Sequence, residues 1–314
     1  MAERRLILLA LALAGVSALF ILWNLRAPMG FILSLRLVKL ASLCIVGAAI
    51  GTATVLFQTV AANRLLTPGI VGFDALFVFI QTMLVLTLGA AGFATLPVLA
   101  QFGLETLVLV VAALALFGAL LRKGSDDILR LVLTGVILGV LLRGLAGLAQ
   151  RLLDPSEFAI VQQASFATFG AVDRAQLAIA AAVLALSVVA ALRLARLLDV
   201  AALGRGTALS LGLDFDRVIF AALGVVALLV AVSMALVGPI TFLGLLAASL
   251  AHAILPTWRH ALLLPGAALI GAIILVSGQF VFERLLGLQS TLTVIVEFLG
   301  GLLFLFLVLR RSRS

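Results

Sequence analysis

The sequence predicts an all-helical integral membrane protein with about ten transmembrane helices. Two features of the chain require it. Of its 314 residues, 65% are hydrophobic and 11% charged, against roughly 45–50% and about 25% in soluble domains, so lipid must solvate most of the molecule. The apolar residues also fall into long runs bounded by charge, Pro or Gly, without the alternating period of barrel strands. Inside lipid every backbone amide needs an internal partner, so such runs are helices.

The runs lie near residues 6–24, 38–58, 70–94, 101–121, 129–149, 175–195, 217–237, 240–255, 261–281 and 288–309, within a single transmembrane domain over 1–314. The first follows Glu3-Arg4-Arg5 and lacks a small-residue cleavage site before a polar stretch, so it reads as a retained span. The eighth opens at Gly238-Pro239 and closes before Pro256, which makes it short, tilted or only partly crossing. Two connections exceed a turn. Residues 150–174 carry Phe158, Phe166 and Phe169, and the 199–216 segment holds Leu203-Gly204 through Leu211-Gly212. The latter is too polar to span and too apolar for a solvated linker, and its flanking glycines suit a short surface helix with sharp ends. Small-residue pairs at Gly47/Gly51 and Gly135/Gly139 predict close helix packing within the chain.

The chain carries 21 basic and 13 acidic residues, a net charge of +8. The basic residues sit between the apolar runs, as topology signals do, which removes the nucleic-acid reading. With ten spans and an internal N-terminus, the larger share of them falls on the inner side, so both termini are expected in the cytoplasm. Cys44 is the only cysteine and sits in an apolar run, leaving no intrachain disulfide and no cysteine metal cluster.

Enzymatic constellations are missing from the sequence. It contains no Gly-x-x-x-x-Gly-Lys-Ser/Thr loop. His252 and His260 have no carboxylate at ligand spacing, and the pairs Asp126-Asp127 and Asp214/Asp216 sit beside basic residues as solvated turns do. The ionisable residues within runs, Asp74, Glu105, Arg143 and Glu297, lie mostly toward span ends, where snorkelling would solvate them. A chain of this kind that moves a solute draws its energy from outside itself.

Four stretches carry a resemblance to a known family. Leu35-Arg36-Leu37-Val38-Lys39, leading through Gly47-Ala48-Ala49 to Gln58, is similar to an Arg-Leu-Pro-Arg start of a Gly-rich second span, with Val38 where Pro is usual. Asn63-Arg64-Leu65-Leu66-Thr67-Pro68-Gly69-Ile70-Val71-Gly72 is similar to an Asn-Pro-Leu-Ala-x-Pro-x-x-Leu-Gly turn. Leu203-Gly204 to Ala208-Leu209-Ser210-Leu211-Gly212 is similar to a Leu-Gly-x-x-x-Ala-x-x-Leu-Gly segment, and Gly238-Pro239-Ile240-Thr241-Phe242-Leu243-Gly244-Leu245 to Gly-Pro-Ile-x-Phe-x-Gly-Leu. In that order they resemble the permease subunits of binding-protein-dependent ABC importers for iron–siderophores and cobalamin. Ala247-Ala248-Ser249 before His252 and Gln289-Ser290-Thr291-Leu292-Thr293 depart from the common pattern and, with Gly72-Phe73-Asp74 and Arg151 to Phe158, look like the ferric catecholate (petrobactin or anguibactin) subgroup.

The resemblance implies a type II ABC importer permease fold in the bacterial inner membrane. It implies a second, non-identical permease, two ABC ATPase subunits and an external substrate-binding protein as partners, with a ferric siderophore as substrate. No cofactor belongs to this chain; ATP and magnesium belong to the ATPase. Leu203, Gly204, Ala208, Leu211 and Gly212 are the implied ATPase-coupling residues, with Leu203, Ala208 and Leu211 as the apolar contact. Arg36, Lys39 and Arg284 are the implied docking residues for the binding protein. Arg143 is expected on the translocation path or paired with Glu157. A secondary carrier, or a permease for haem or cobalamin, is the alternative.

Overall fold

The structure, a computed structural model, describes residues 2–24, 28–121, 128–170, 172–287 and 292–311. Twelve helices follow one another: α1 (Ala2–Leu22), α2 (Met29–Val60), α3 (Asp74–Thr95), α4 (Val98–Leu121), α5 (Ile128–Gln150), α6 (Pro155–Ala164), α7 (Arg174–Ala201), α8 (Arg205–Ser210), α9 (Phe215–Val237), α10 (Leu243–Ile254), α11 (His260–Phe280) and α12 (Leu292–Arg311). π-helical turns at Gly69–Phe73 and Val281–Leu285 open α3 and extend α11. Asp126-Asp127 and Gln289-Ser290-Thr291 lie outside the described residues.

Among the described residues, eight helical stretches are long and apolar enough to cross a membrane. α10, with 12 residues, reaches only about 18 Å, well short of a hydrocarbon core of roughly 30 Å. Its brevity follows from the interruption at Gly238-Pro239, where α9 ends, and from Pro256 just beyond. α2 is longer than its apolar run, 32 residues starting at Met29, because Arg36 and Lys39 continue the helix instead of bounding it.

α2 and α9 form the centre, with 72% of each spanning window buried, whereas 6% of the α1 window is buried and α1 lies on the rim. α11 packs along α2 through glycines. A Cβ built on Gly47 would lie 2.6 Å from the Gly271 carbonyl, and one on Gly51 would strike the carbonyl of Ala267. Gly135 and Gly139 of α5 receive Val71 and Gly72 of the first π-helical turn in the same way. Both glycine pairs therefore work within the chain. Lipid supplies no hydrophobic drive between helices, so close backbone approach and the dispersion it allows must do so.

The polar interior corrects the expectation that snorkelling solvates the charges within the spans: Asp74 and Glu105 are buried in protein. Glu105 is 3% exposed and accepts from Gln81 Nε2 at 2.6 Å and Gln101 Nε2 at 2.7 Å. Gln150 Nε2 donates to Thr82 Oγ1 at 3.1 Å, tying α5 to α3. The connection 150–174 holds α6, which starts where Pro155 follows Asp154. Glu157 accepts from the Asp154 amide at 3.1 Å and from the Ala90 amide at 3.3 Å, beside the break of α3 at Gly89. It is engaged there and not with Arg143.

Gly47→Leu is expected to destabilise the folded chain by about 3 kcal/mol or more, because the facing backbone cannot yield. Gly15→Leu, with nothing within 4 Å of its added Cβ, is expected to leave stability unchanged. Thermal unfolding of the detergent-solubilised proteins measures both.

Candidate functional site

The segment between α7 and α9 is built as a rigid protrusion. α7 continues to Ala201, so residues 199–201 of the expected coupling segment belong to a spanning helix. Gly204 (φ 94°) turns the chain into the six-residue α8, and Gly212 (φ 81°) ends it. Leu213 N–H donates to Ala208 O at 3.0 Å and Gly212 N–H to Leu209 O at 2.9 Å. This pair of bonds is a Schellman closure, and its left-handed position suits glycine. Asp214 then caps α9 by accepting from the Arg217 amide at 3.3 Å, and Arg205 pairs with Asp216 at 3.1 Å.

Ala208 is fully buried against the chain's own core, a correction to its expected role as an outward apolar contact. Leu203, Leu209 and Leu211 are the large apolar side chains that α8 and its flanks expose, at 59%, 50% and 63%. A helix this short has one inward face, and the small residue takes it. Beside α8 opens a recess of about 520 Å³, lined by Gln58, Asn63, Arg64, Arg205, His252 and Trp258 among others.

At the opposite end of α2 the structure gathers Arg36, Lys39 and Arg284 around a second recess of about 470 Å³, which Arg174 also lines. Arg36 differs from its expected role. It is 6% exposed, and its guanidinium donates to the carbonyls of Ile21, Trp23 and Asn24 at 2.5, 2.8 and 3.4 Å. A cation on the terminal carbonyls of α1 is a C-terminal cap, favoured by the helix dipole. Lys39 Nζ meets Glu283 Oε2 at 2.9 Å, and Arg284 approaches Glu283 Oε1 at 3.5 Å. Glu283, which also accepts from Gln279 at 3.1 Å, organises the cluster and was not singled out in the sequence. Arg36 and Gln58 mark the two recesses on α2, about 33 Å apart at roughly 1.5 Å per residue, close to the thickness of a hydrocarbon core.

Arg143 is exposed on α5 and interacts electrostatically with Asp74. Asp74, 7% exposed, accepts from Thr241 Oγ1 at 2.6 Å, in the interruption between α9 and α10. Glu297 of α12 also reaches Thr241 and lies within electrostatic range of Asp74. The three carboxylate and hydroxyl side chains thus meet where helices α3 and α10 begin.

Comparison with known proteins agrees with this arrangement. The model of the FecCD transport family matches residues 6–310. The chain is 39% identical over 279 residues to the petrobactin import system permease protein YclO of Bacillus subtilis (strain 168), covering 89% of each chain. It is 32% identical over 276 residues to the petrobactin import system permease protein FatC of Bacillus anthracis, covering 88% of this chain and 78% of that one. Its fold superposes on a metal-chelate type ABC transporter in an inward-facing conformation with a TM-score of 0.85 at 23% identity, over 98% of this chain and 99% of the other. The all-helical architecture, the multi-pass hydrophobicity and the family match over nearly the whole chain agree: the protein is a membrane permease belonging to the FecCD transport family.

Proposed function

We propose that this permease imports a ferric catecholate siderophore of the petrobactin class. It does so with a second, non-identical permease, two ATPase subunits that hold ATP and magnesium, and an external binding protein. The observation that supports this most is the placement of two unlike surfaces at the two ends of α2. One is the rigid α8 protrusion with its exposed leucines; the other is the basic recess of Lys39, Arg174 and Arg284 around Glu283. The leucines fit an apolar groove on an ATPase, whose closure on nucleotide would displace α8 as a body. The recess fits acidic side chains of a binding protein, which long-range attraction would steer. The substrate follows from the two petrobactin permeases quoted above, and the inner-membrane orientation, with α8 and both termini in the cytoplasm, from the distribution of basic residues.

Uptake of radio-iron by bacteria that depend on this chain tests the substrate. Ferric petrobactin is expected to enter in an ATP-dependent way. Uptake of haem or cobalamin instead, or transport that survives without ATP and stops when the ion gradient is collapsed, would sink the reading.

Leu209→Glu combined with Leu211→Glu is expected to weaken retention of the ATPase by about tenfold or more, at unchanged permease level. Ala208→Glu is expected to lower the folded yield instead, since the charge would enter the core. Co-purification and size-exclusion profiles separate the two effects.

Arg284→Glu is expected to slow association with the binding protein and to flatten its dependence on salt. Arg36→Met, which uncaps α1, is expected to reduce thermal stability with little change in that association rate. Stopped-flow binding at low and high ionic strength, beside a melting curve, reads both.

A further inference from the structure

Three spanning helices converge where α7 turns toward α8. Thr59 lies in the last turn of α2, Asp199 in the last turn of α7, and His260 opens α11. His260 Nδ1 lies 2.6 Å from Asp199 Oδ1, and the same oxygen accepts the His260 backbone N–H at 2.8 Å. His260 Nε2 lies 2.8 Å from Thr59 Oγ1. The histidine is 4% exposed, so three helix ends are fastened through one buried ring.

The proton inventory shows how firmly. A carboxylate only accepts, so Nδ1 carries a proton toward Asp199. Thr59 Oγ1 also lies 2.9 Å from the Val55 carbonyl. A neutral ring accepts the Thr59 proton at Nε2; a charged ring donates to Thr59, whose proton then turns to Val55. Either way both ring nitrogens are engaged. The chain of side chains is a fastening rather than a nucleophile with its base.

The two helices that His260 joins are joined again elsewhere. α2 and α11 touch backbone to backbone at Gly47 and Gly271. At their far ends Lys39 of α2 pairs with Glu283 just past α11 at 2.9 Å. They form one strut from the basic recess to the recess beside α8. Asp199 attaches that strut to α7, a few residues before Gly204, and His260, Gly204 and Arg205 line the same recess.

We propose that His260 is a positioning residue for energy coupling: through Asp199 and Thr59 it passes displacement of α8 into the α2–α11 strut and so to the binding-protein recess. This rests on the importer reading above. Without the fastening, α8 would still seat in the ATPase, but its motion would reach the recess only through looser packing.

The test uses the whole importer in proteoliposomes, with ferric petrobactin and its binding protein, measuring basal ATPase activity, its stimulation by the loaded binding protein, and iron transported per ATP. Thr59→Val keeps shape and removes the hydroxyl, Thr59→Ser restores it, and Asp199→Ala removes the carboxylate. For Thr59→Val and Asp199→Ala, assembly and basal hydrolysis are expected to match the wild type, while transport per ATP falls about tenfold and stimulation is lost. Thr59→Ser is expected to recover wild-type coupling. Wild-type transport per ATP in both loss variants overturns the proposal. So does reduced yield with an unchanged ratio in the surviving complex, which would make the fastening structural only. Failure of the wild-type complex to bind an ATPase or to transport would be visible before any variant and would defeat the importer reading itself.

Discussion

The close approach of α2 and α11 is the constraint on which the rest of this structure depends. Between helices in lipid, apolar side chains gain little by meeting each other, since the alternative neighbour is equally apolar. What remains is the quality of contact, and Gly47, Gly51 and Gly271 bring two backbones into it. α10 also approaches through a glycine, with Gly244 against the side chain of Thr54 of α2. Because α2 is thereby surrounded by α9, α10 and α11, its polar residues Thr52, Thr54 and Gln58 are buried. The centre of the molecule is a set of backbones locked by small residues, and the large aliphatics turn outward to lipid along α1, α5 and α12.

A locked centre also explains how the two surfaces proposed to meet partners differ. α8 is too short to be stable alone. It is held by a Schellman closure at one end, a capped α9 beyond it and Ala208 sealed beneath. Its order comes from its supports, so it moves only as they move. The basic recess has partly exposed ion pairs, each contributing on the order of 0–1 kcal/mol to stability. Charge there contributes little to folding, and in the proposed importer the surplus cation around Glu283 is what the binding protein would meet first.

The helices and their order were legible because hydropathy over long windows reports burial in lipid directly. The glycine pairs were legible as close contacts, though not what they contacted. Errors arose where one residue type serves two purposes. Arg36 at the edge of an apolar run reads as a residue free to meet a partner, yet the preceding helix ends against it and claims its guanidinium. Ala208 lies in a helix of six residues, where no periodicity marks the inward face. α6 has a readable start in Asp154-Pro155-Ser156-Glu157, a capping box in a connection otherwise marked by aromatic residues. Glu283 and the joining of Asp199, His260 and Thr59 had no local signal: the partners are 61 and 201 residues apart in the chain.

The remaining polar residues of the interior follow a rule of their own. Non-helical backbone is tolerated at membrane depth only where protein surrounds it. Here the two interruptions, the π-helical turn before Asp74 and the bend at Gly238–Phe242, come together, and Thr241 of one donates to Asp74 of the other. Glu297 and Arg143 stand next to the same place. Breaking a helix exposes carbonyls and amides, which costs least where another break already demands polar company. One polar centre costs less than two scattered ones. A permease that must rearrange its helices gains by the same economy, because regular helices resist bending while interrupted ones bend where they are already open. In the proposed coupling route α2 and α11, fastened to each other along their length, would carry displacement, and the interrupted entries to α3 and α10 would give way to it.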